Sequence, residues 1–244
     1  MTVLGRRMFA VAFIAFGLLQ FLNANFVPGR PPAWPAHVYG GWIWAYVTGA
    51  WFVVAGAAIL VERRLPPAAF SIAVLVFAWA VTRNLPIALA DANFGSAWTR
   101  LGKAIALSGG ALAIAASARQ ATHSNTTFTI AGRFALGAFL IASGVQHFLF
   151  TDAVITLIPS WIPGARLWAY FAGIAGGAGL IVPLTARIAG LSVALMLFAW
   201  VWILHVPRAL MAQPANQRNE WTAVFEALAF AAIALVLAKR SSST

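Results

Sequence analysis

Residues 77–89 read FAWAVTRNLPIAL, and residues 198–210 read FAWVWILHVPRAL. Phe, Ala, Trp, Pro, Ala and Leu recur in register, and Asn84 of the first stretch corresponds to His205 of the second at a spacing of 121. Each stretch is an apolar run that meets a proline, which is typical of the end of a membrane helix. The copy indicates an internal duplication.

The duplication continues along the chain. At a spacing of 127, the residues Gly5, Arg6, Ile14, Ala15, Gly17, Phe21, Pro32 and Trp34 recur as Gly132, Arg133, Ile141, Ala142, Gly144, Phe148, Pro159 and Trp161. The run Trp44-Ala45-Tyr46 returns as Trp168-Ala169-Tyr170, and Trp98-Thr99 returns as Trp221-Thr222. We therefore predict two repeats, residues 1–122 and 123–244.

Composition indicates the class of protein. Hydrophobic residues make up 62% of the chain and charged residues only 9%, which predicts an integral protein of the lipid bilayer. The absence of cysteine excludes disulfides and thiolate ligands. The net charge of +11 comes from basic residues at the ends of apolar runs. Because they form no continuous basic face, nucleic-acid binding is not expected.

The apolar runs lie at residues 8–22, 42–61, 68–89, 96–118, 130–150, 167–184, 188–206 and 221–238. Each is close to the roughly 20 residues that cross a bilayer core. The first run alone resembles a signal peptide, but its counterpart lies in mid-chain, which favours a retained helix. We predict an all-α transmembrane fold of eight helices, arranged as two parallel-duplicated four-helix bundles.

Loop charges predict the orientation. With a cytoplasmic N-terminus, nine Arg and Lys residues fall on the inner side and seven on the outer side. The inner charges flank short turns, so we expect both termini to be cytoplasmic, in a bacterial-type cell membrane. An even number of helices in each repeat gives both repeats the same orientation, unlike the inverted repeats of many transporters.

Tryptophans concentrate near the expected outer boundary, where two long loops contain PPAWPAH and IPSWIPG. An interfacial aromatic belt explains this pattern, but such belts normally occupy both faces of the membrane. The one-sided distribution also fits an aromatic lid over a site on the outer side. The candidate binding residues there are Trp161, Trp168, Tyr170 and Trp221.

Polar residues interrupt the predicted helices of the second repeat at His147, His205 and Glu226, whose counterparts are Gln20, Asn84 and Lys103. Counting about 1.5 Å per residue places all three within roughly 10 Å of the outer boundary, in one layer. Ionisable residues at this depth usually face the bundle interior and pair with one another. Gln146, Arg166 and Arg208 are expected around the same layer.

This layer has three interpretations. It is a purely structural hydrogen-bonded network in which Arg208 or His205 holds Glu226, or a ligand set for a metal or a haem. In the third, a quinone or another apolar redox ligand binds there. His147, His205 and Glu226 then serve as hydrogen-bonding or proton-transfer groups, because the pKa of histidine lies near neutrality.

The segments GVQHF, IPSWIPG, WAYFAGIAGGAGL, HVPRAL and NEWTAVFEAL together resemble the DoxX-like family of membrane proteins. The resemblance covers residues 142–238 and, more weakly, the first half. It implies a four-helix bundle per repeat and an association with membrane redox systems; in the DoxD-like branch it implies a quinone-reducing partner of thiosulfate oxidation. The matching positions are Gln146, His147, Pro159, Trp161, Pro163, Trp168, His205, Pro207, Arg208 and Glu226.

The first repeat departs from this pattern at Gln20, Asn84 and Lys103. We therefore expect an active second repeat and a supportive first repeat. The leading hypothesis is a subunit of a membrane redox system that works with a redox partner protein. Its catalytic residues are His147, His205 and Glu226, and Gln146, Trp161, Trp168, Tyr170, Arg208 and Trp221 bind a quinone-like cofactor. The alternative is non-enzymatic: a membrane anchor for a partner, or a conduit for a small solute.

Overall fold

The structure is a computed structural model, described for residues 1–27, 39–118, 123–174 and 177–238. Within these ranges the regular secondary structure is entirely helical. The longer helices are α1 (Thr2–Asn23), α2 (Gly41–Leu60), α3 (Leu65–Ala90), α4 (Ser96–Ser117), α5 (His123–Leu149), α6 (Ala165–Ile174), α7 (Ala186–Met211) and α8 (Pro214–Leu237). Two short helices, Thr151–Ile155 and Gly177–Ile181, flank α6.

Six of these helices are long and apolar enough to cross a membrane: α1, α2, α3, α5, α7 and α8. The chain is therefore a multi-pass membrane protein, and the prediction of an all-helical membrane fold is confirmed at this level. Helix α4 has 22 residues but begins with a turn that carries Arg100, followed by Lys103. Helix α6 is described as far as Ile174, and residues 175 and 176 of the predicted run 167–184 lie outside the described residues.

Several helices extend beyond the predicted apolar runs into polar sequence. Helix α8 begins at Pro214 instead of 221, with the proline in its first turn, where a missing N–H is harmless. Helix α7 continues past Pro207 to Met211, so His205 is not in its last turn as predicted. Glu226 likewise lies in the middle of α8 and not in its second turn.

A π-helical turn widens both α3 and α7, at Ala80–Asn84 and Val201–His205. In each turn the next amide donates to a carbonyl five residues back, from Leu85 to Ala80 and from Val206 to Val201. A proline follows each turn, and its ring clashes with the carbonyl four residues back in a regular helix. The wider turn relieves that clash and ends at Asn84 and His205, the pair that corresponds in sequence.

The two halves of the chain pack against each other through their first and last helices. Helix α1 packs against α2 and α8, whereas α5 packs against α4 and α6. Close approach depends on glycine: a Cβ on Gly5 would lie 2.9 Å from the Ala232 carbonyl oxygen, and one on Gly132 would lie 2.9 Å from that of Gly109. Because Gly109 and Ala232 are 123 residues apart, these two crossings are equivalent.

Several sequence predictions fall outside the described residues. These positions are Arg30, Pro32 and Trp34 of the first outer loop, Arg119, Lys239 and Arg240.

Candidate functional site

A buried ion pair joins α4 to α8. Lys103 Nζ lies 2.5 Å from Glu226 Oε2, and only 2% of Glu226 is exposed. The expected pairing of Glu226 with Arg208 is therefore wrong. Charged groups inside a membrane bundle are costly unless they are paired, and Lys103 is the cation at the level of Glu226. The other carboxylate oxygen, Oε1, is buried and has no hydrogen-bond partner in the described part of the chain.

Arg208 forms a second, shallower ion pair. Its Nη2 lies 2.7 Å from Glu220 Oε1, and its Nη1 donates to the Leu157 carbonyl at 3.2 Å. Glu220 precedes the apolar part of α8, because that helix begins earlier than the hydropathy pattern predicts. Arg208 therefore ties the end of α7 to α8 and to the loop before α6, where it holds protein groups together.

His147 lies near the end of α5 and faces α6. Its Nδ1 is 2.9 Å from the Ala169 carbonyl oxygen. A carbonyl can only accept, so Nδ1 carries the hydrogen and Nε2 of the neutral ring has a free lone pair. Nε2 has no hydrogen-bond partner among the described residues. His147 thus has a fixed ring orientation and one nitrogen left for a ligand.

Gln146, which was predicted to bind a cofactor, is used within the protein. Its Nε2 donates to the carbonyls of Phe94 and Gly95 at 2.7 and 3.0 Å, and its Oε1 accepts from the Thr99 hydroxyl at 2.7 Å. Only 8% of the residue is exposed. These bonds fix the C-terminal end of α5 to the beginning of α4.

The same bonds show the depth of His147. They place residue 146 at the level of Gly95, and Lys103 lies eight residues farther along α4, which corresponds to about 12 Å. Glu226, which contacts Lys103, is therefore deeper in the bundle than His147. The prediction of one polar layer is wrong at this point, because α8 crosses α4 below its first turns.

His205 is the last residue of the π-helical turn of α7 and is partly buried. Val201 and Ala209, four residues before and after it on α7, form a buried apolar cluster with Val224 and Ala227 of α8. Among the described residues, no three His, Asp or Glu side chains lie close enough together to hold a metal ion. His147, His205 and Glu226 do not form the constellation that the sequence pattern allowed.

The aromatic residues Trp168 and Tyr170 flank Ala169, whose carbonyl contacts His147. Tyr170 stacks on Phe148 with ring centroids 4.9 Å apart, and Trp168 meets Trp200 edge to face at 6.3 Å. The Trp168 indole donates to the Pro163 carbonyl at 3.1 Å. Of the other predicted binding residues, Trp161 is 64% exposed and Trp221 stacks on Phe225 of its own helix. Trp168 and Tyr170 are thus placed near His147 by their position on α6.

Sequence reasoning assigned the first repeat a supportive role, yet two of its polar residues are more deeply buried than the histidines. Gln20 is 0% exposed and Asn84 is 2% exposed. Gln20 Oε1 and Asn84 Oδ1 have no hydrogen-bond partner in the described part of the chain. The sequence signal for Gln20 and Asn84 was their correspondence with His147 and His205. That correspondence does not show that the two amide oxygens lack hydrogen-bond partners.

Residues 136–241 match the model of a family described as a domain of unknown function (DUF8561). The matched region contains His147, His205 and Glu226 but not Lys103. No curated protein and no solved structure matches the chain.

Proposed function

We propose that this membrane protein is a DoxX-like subunit of a membrane redox system, which binds a quinone-like ligand beside His147. The observation that carries the proposal is the histidine geometry: Nδ1 is held by the Ala169 carbonyl at 2.9 Å, and Nε2 has no hydrogen-bond partner among the described residues. A fixed imidazole with one available nitrogen can exchange a proton with a bound ligand.

The chemistry follows from the tautomer. In the neutral ring, Nε2 would accept a hydrogen bond from one O–H of a hydroquinone and take up that proton when the ligand loses two electrons, and the proton of the other O–H would leave to water. In the protonated ring, Nε2 donates to the carbonyl oxygen of the quinone. The electrons pass to or from a redox partner protein, so His147 serves only the proton.

Access from the bilayer supports an apolar ligand. Phe148 and Phe171 are 50% and 55% exposed, and Trp168 is 40% exposed, on a surface that faces lipid in a multi-pass membrane protein. A quinone is lipid-soluble and flat, and aromatic rings favour stacked or edge-to-face contacts with such a ring. The ligand would approach His147 across this surface.

The proposed architecture is two four-helix repeats with the same orientation and both termini in the cytoplasm. Two features support it: the π-helical turns at equivalent positions of α3 and α7, and the equivalent glycine crossings of α1 with α8 and of α5 with α4.

Binding can be tested by titrating the protein in lipid nanodiscs with decylubiquinone while tryptophan fluorescence is recorded, since a bound quinone quenches nearby indoles such as Trp168. We expect His147→Ala to weaken binding at least about tenfold, which corresponds to about 1.4 kcal/mol. Thr82→Val is the control, because its hydroxyl bonds only to the Ala78 carbonyl on an exposed face. If the wild-type protein shows no saturable binding of decylubiquinone, the anchor or conduit interpretation is supported.

A further inference from the structure

Two buried amide oxygens in the first repeat accept no hydrogen bond from any described residue. Gln20 Oε1 and Asn84 Oδ1 are inside the bundle and lack a hydrogen-bond partner among the described residues. An unsatisfied polar group costs several kcal/mol in a hydrocarbon environment, and such groups in native proteins usually bind a molecule of water or ligand. We infer that the first repeat holds a second ligand site, for a small aromatic molecule that donates hydrogen bonds through hydroxyl groups.

The orientation of the Gln20 amide is set by its neighbour. The Thr48 hydroxyl donates to the Trp44 carbonyl at 2.7 Å, so its oxygen is left to accept. Gln20 Nε2 lies 3.4 Å from that oxygen and donates to it. The Gln20 carbonyl oxygen consequently points away from Thr48 and is available only to a hydrogen-bond donor.

Asn84 is presented by the π-helical turn of α3, of which it is the last residue. The turn exists because Pro86 follows, and it re-aims the side chain relative to a regular helix. Asn84 forms no hydrogen bond or ion pair within the described part of the chain. An amide at this depth without a protein partner requires a partner from outside the chain.

Aromatic rings lie directly below both amides. Phe13 links Phe16 and Phe52 at centroid distances of 5.3 and 5.2 Å, and Phe52 meets Trp79 at 5.8 Å. Gln20 is four residues beyond Phe16 on α1, and Asn84 is five residues beyond Trp79 on α3. Each amide therefore lies about one turn outward of the same ring cluster.

This combination selects the ligand class. A ring cluster favours an aromatic body, and two neutral amide oxygens favour O–H donors at its edge. A hydroquinone has both features, whereas the oxidised quinone offers only carbonyl acceptors. Because the Gln20 N–H donates to Thr48, the Gln20 oxygen needs an O–H donor, and the site thus prefers the reduced form of the same ligand class that is proposed for His147. Its ligand identity rests on that proposal. Water is the other source of O–H donors.

A binding measurement on the wild-type protein distinguishes the two proposed sites without any variant. The number of ligands bound per chain in nanodiscs is measured by equilibrium dialysis, with decylubiquinone in air and with decylubiquinol under anaerobic reduction. We expect one decylubiquinone and two decylubiquinol molecules per chain. Equal numbers of decylubiquinol and decylubiquinone per wild-type chain would overturn the first-repeat site and leave only water at the two amides.

Variants then assign the second ligand. Gln20→Met and Asn84→Leu keep the side-chain size and remove the acceptor, and each should reduce decylubiquinol from two to one while leaving decylubiquinone at one. His147→Ala should remove decylubiquinone and leave one decylubiquinol. If Gln20→Met and Asn84→Leu both retain two decylubiquinol molecules, the assignment to the first repeat is wrong. A wild-type chain that binds one decylubiquinol and no decylubiquinone would overturn the His147 proposal and not this one.

Discussion

Lys103 and Glu226 contact each other at 2.5 Å across the α4–α8 crossing, although they are each other's counterparts in the two halves of the sequence. Such a contact arises where a two-fold relation places equivalent residues face to face. If both positions carried the same charge, two like charges would meet inside the bundle. The opposite charges of Lys103 and Glu226 therefore favour packing of the first half of the chain against the second.

Charge reversal tests this contact. We expect Lys103→Glu and Glu226→Lys, each alone, to lower stability by about 3–5 kcal/mol or more, because each leaves a buried charge unpaired beside a like charge. The double variant Lys103→Glu/Glu226→Lys should recover most of the loss. Thermal unfolding in detergent measures all three.

A neutral pair is the control for this experiment. Lys103→Met with Glu226→Leu should retain a stability close to that of the wild type, since apolar replacement of a buried ion pair is often neutral or stabilising. A double charge reversal as unstable as the single variants would contradict the pairing of these two residues.

The glycine crossing of α5 and α4 predicts a strong effect of a small side chain. A Cβ on Gly132 would lie 2.8 Å from Ala113 Cβ and 2.9 Å from the Gly109 carbonyl oxygen, so the helices must move apart. We expect Gly132→Val to lower the melting temperature in detergent, in line with the about 1–3 kcal/mol of overpacked interiors. Ala138→Val on the exposed face of α5 is the control and should leave the melting temperature unchanged; equal losses would exclude a specific crossing.

Topology gives a further prediction. If both repeats share one orientation with a cytoplasmic N-terminus, a reporter fused after Arg64 is cytoplasmic and a reporter fused after Asp152 is outside the membrane. Alkaline phosphatase is active only outside the cytoplasm, and green fluorescent protein fluoresces only inside it when exported by the general secretory route. An active phosphatase after Arg64 would overturn the orientation.

That the chain forms membrane-spanning helices was predictable, because 20-residue apolar runs leave few alternatives in a bilayer. Their ends were not, since hydropathy does not register a polar turn such as residues 214–220, which is nevertheless helical in α8. This difference moved Glu226 from the second turn to the middle of its helix. It also exposed the role of Glu220, which sequence reasoning did not consider as a partner of Arg208.

The sequence predicted which positions of the candidate site carry polar residues. It did not predict which residues those side chains contact. Repeat comparison identified Asn84 and His205 as equivalents, and both end a π-helical turn. It did not show which helices cross, so the structural interpretation gave Glu226 the partners Arg208 or His205 and not Lys103. The contacts of Gln146 were not predictable either, because its partners include backbone carbonyls at Phe94 and Gly95, which carry no signature in the sequence.

The central claim is that a quinone-like ligand bonds to Nε2 of His147. The most direct measurement is the ¹⁵N spectrum of histidine-labelled protein in nanodiscs, before and after addition of decylubiquinol, with the His147 signal assigned by its loss in His147→Gln. We predict that the ligand shifts the Nε2 resonance of His147 and leaves the Nδ1 resonance, held by Ala169, nearly unchanged. A bound ligand that leaves both ring nitrogens of His147 unshifted would contradict the account.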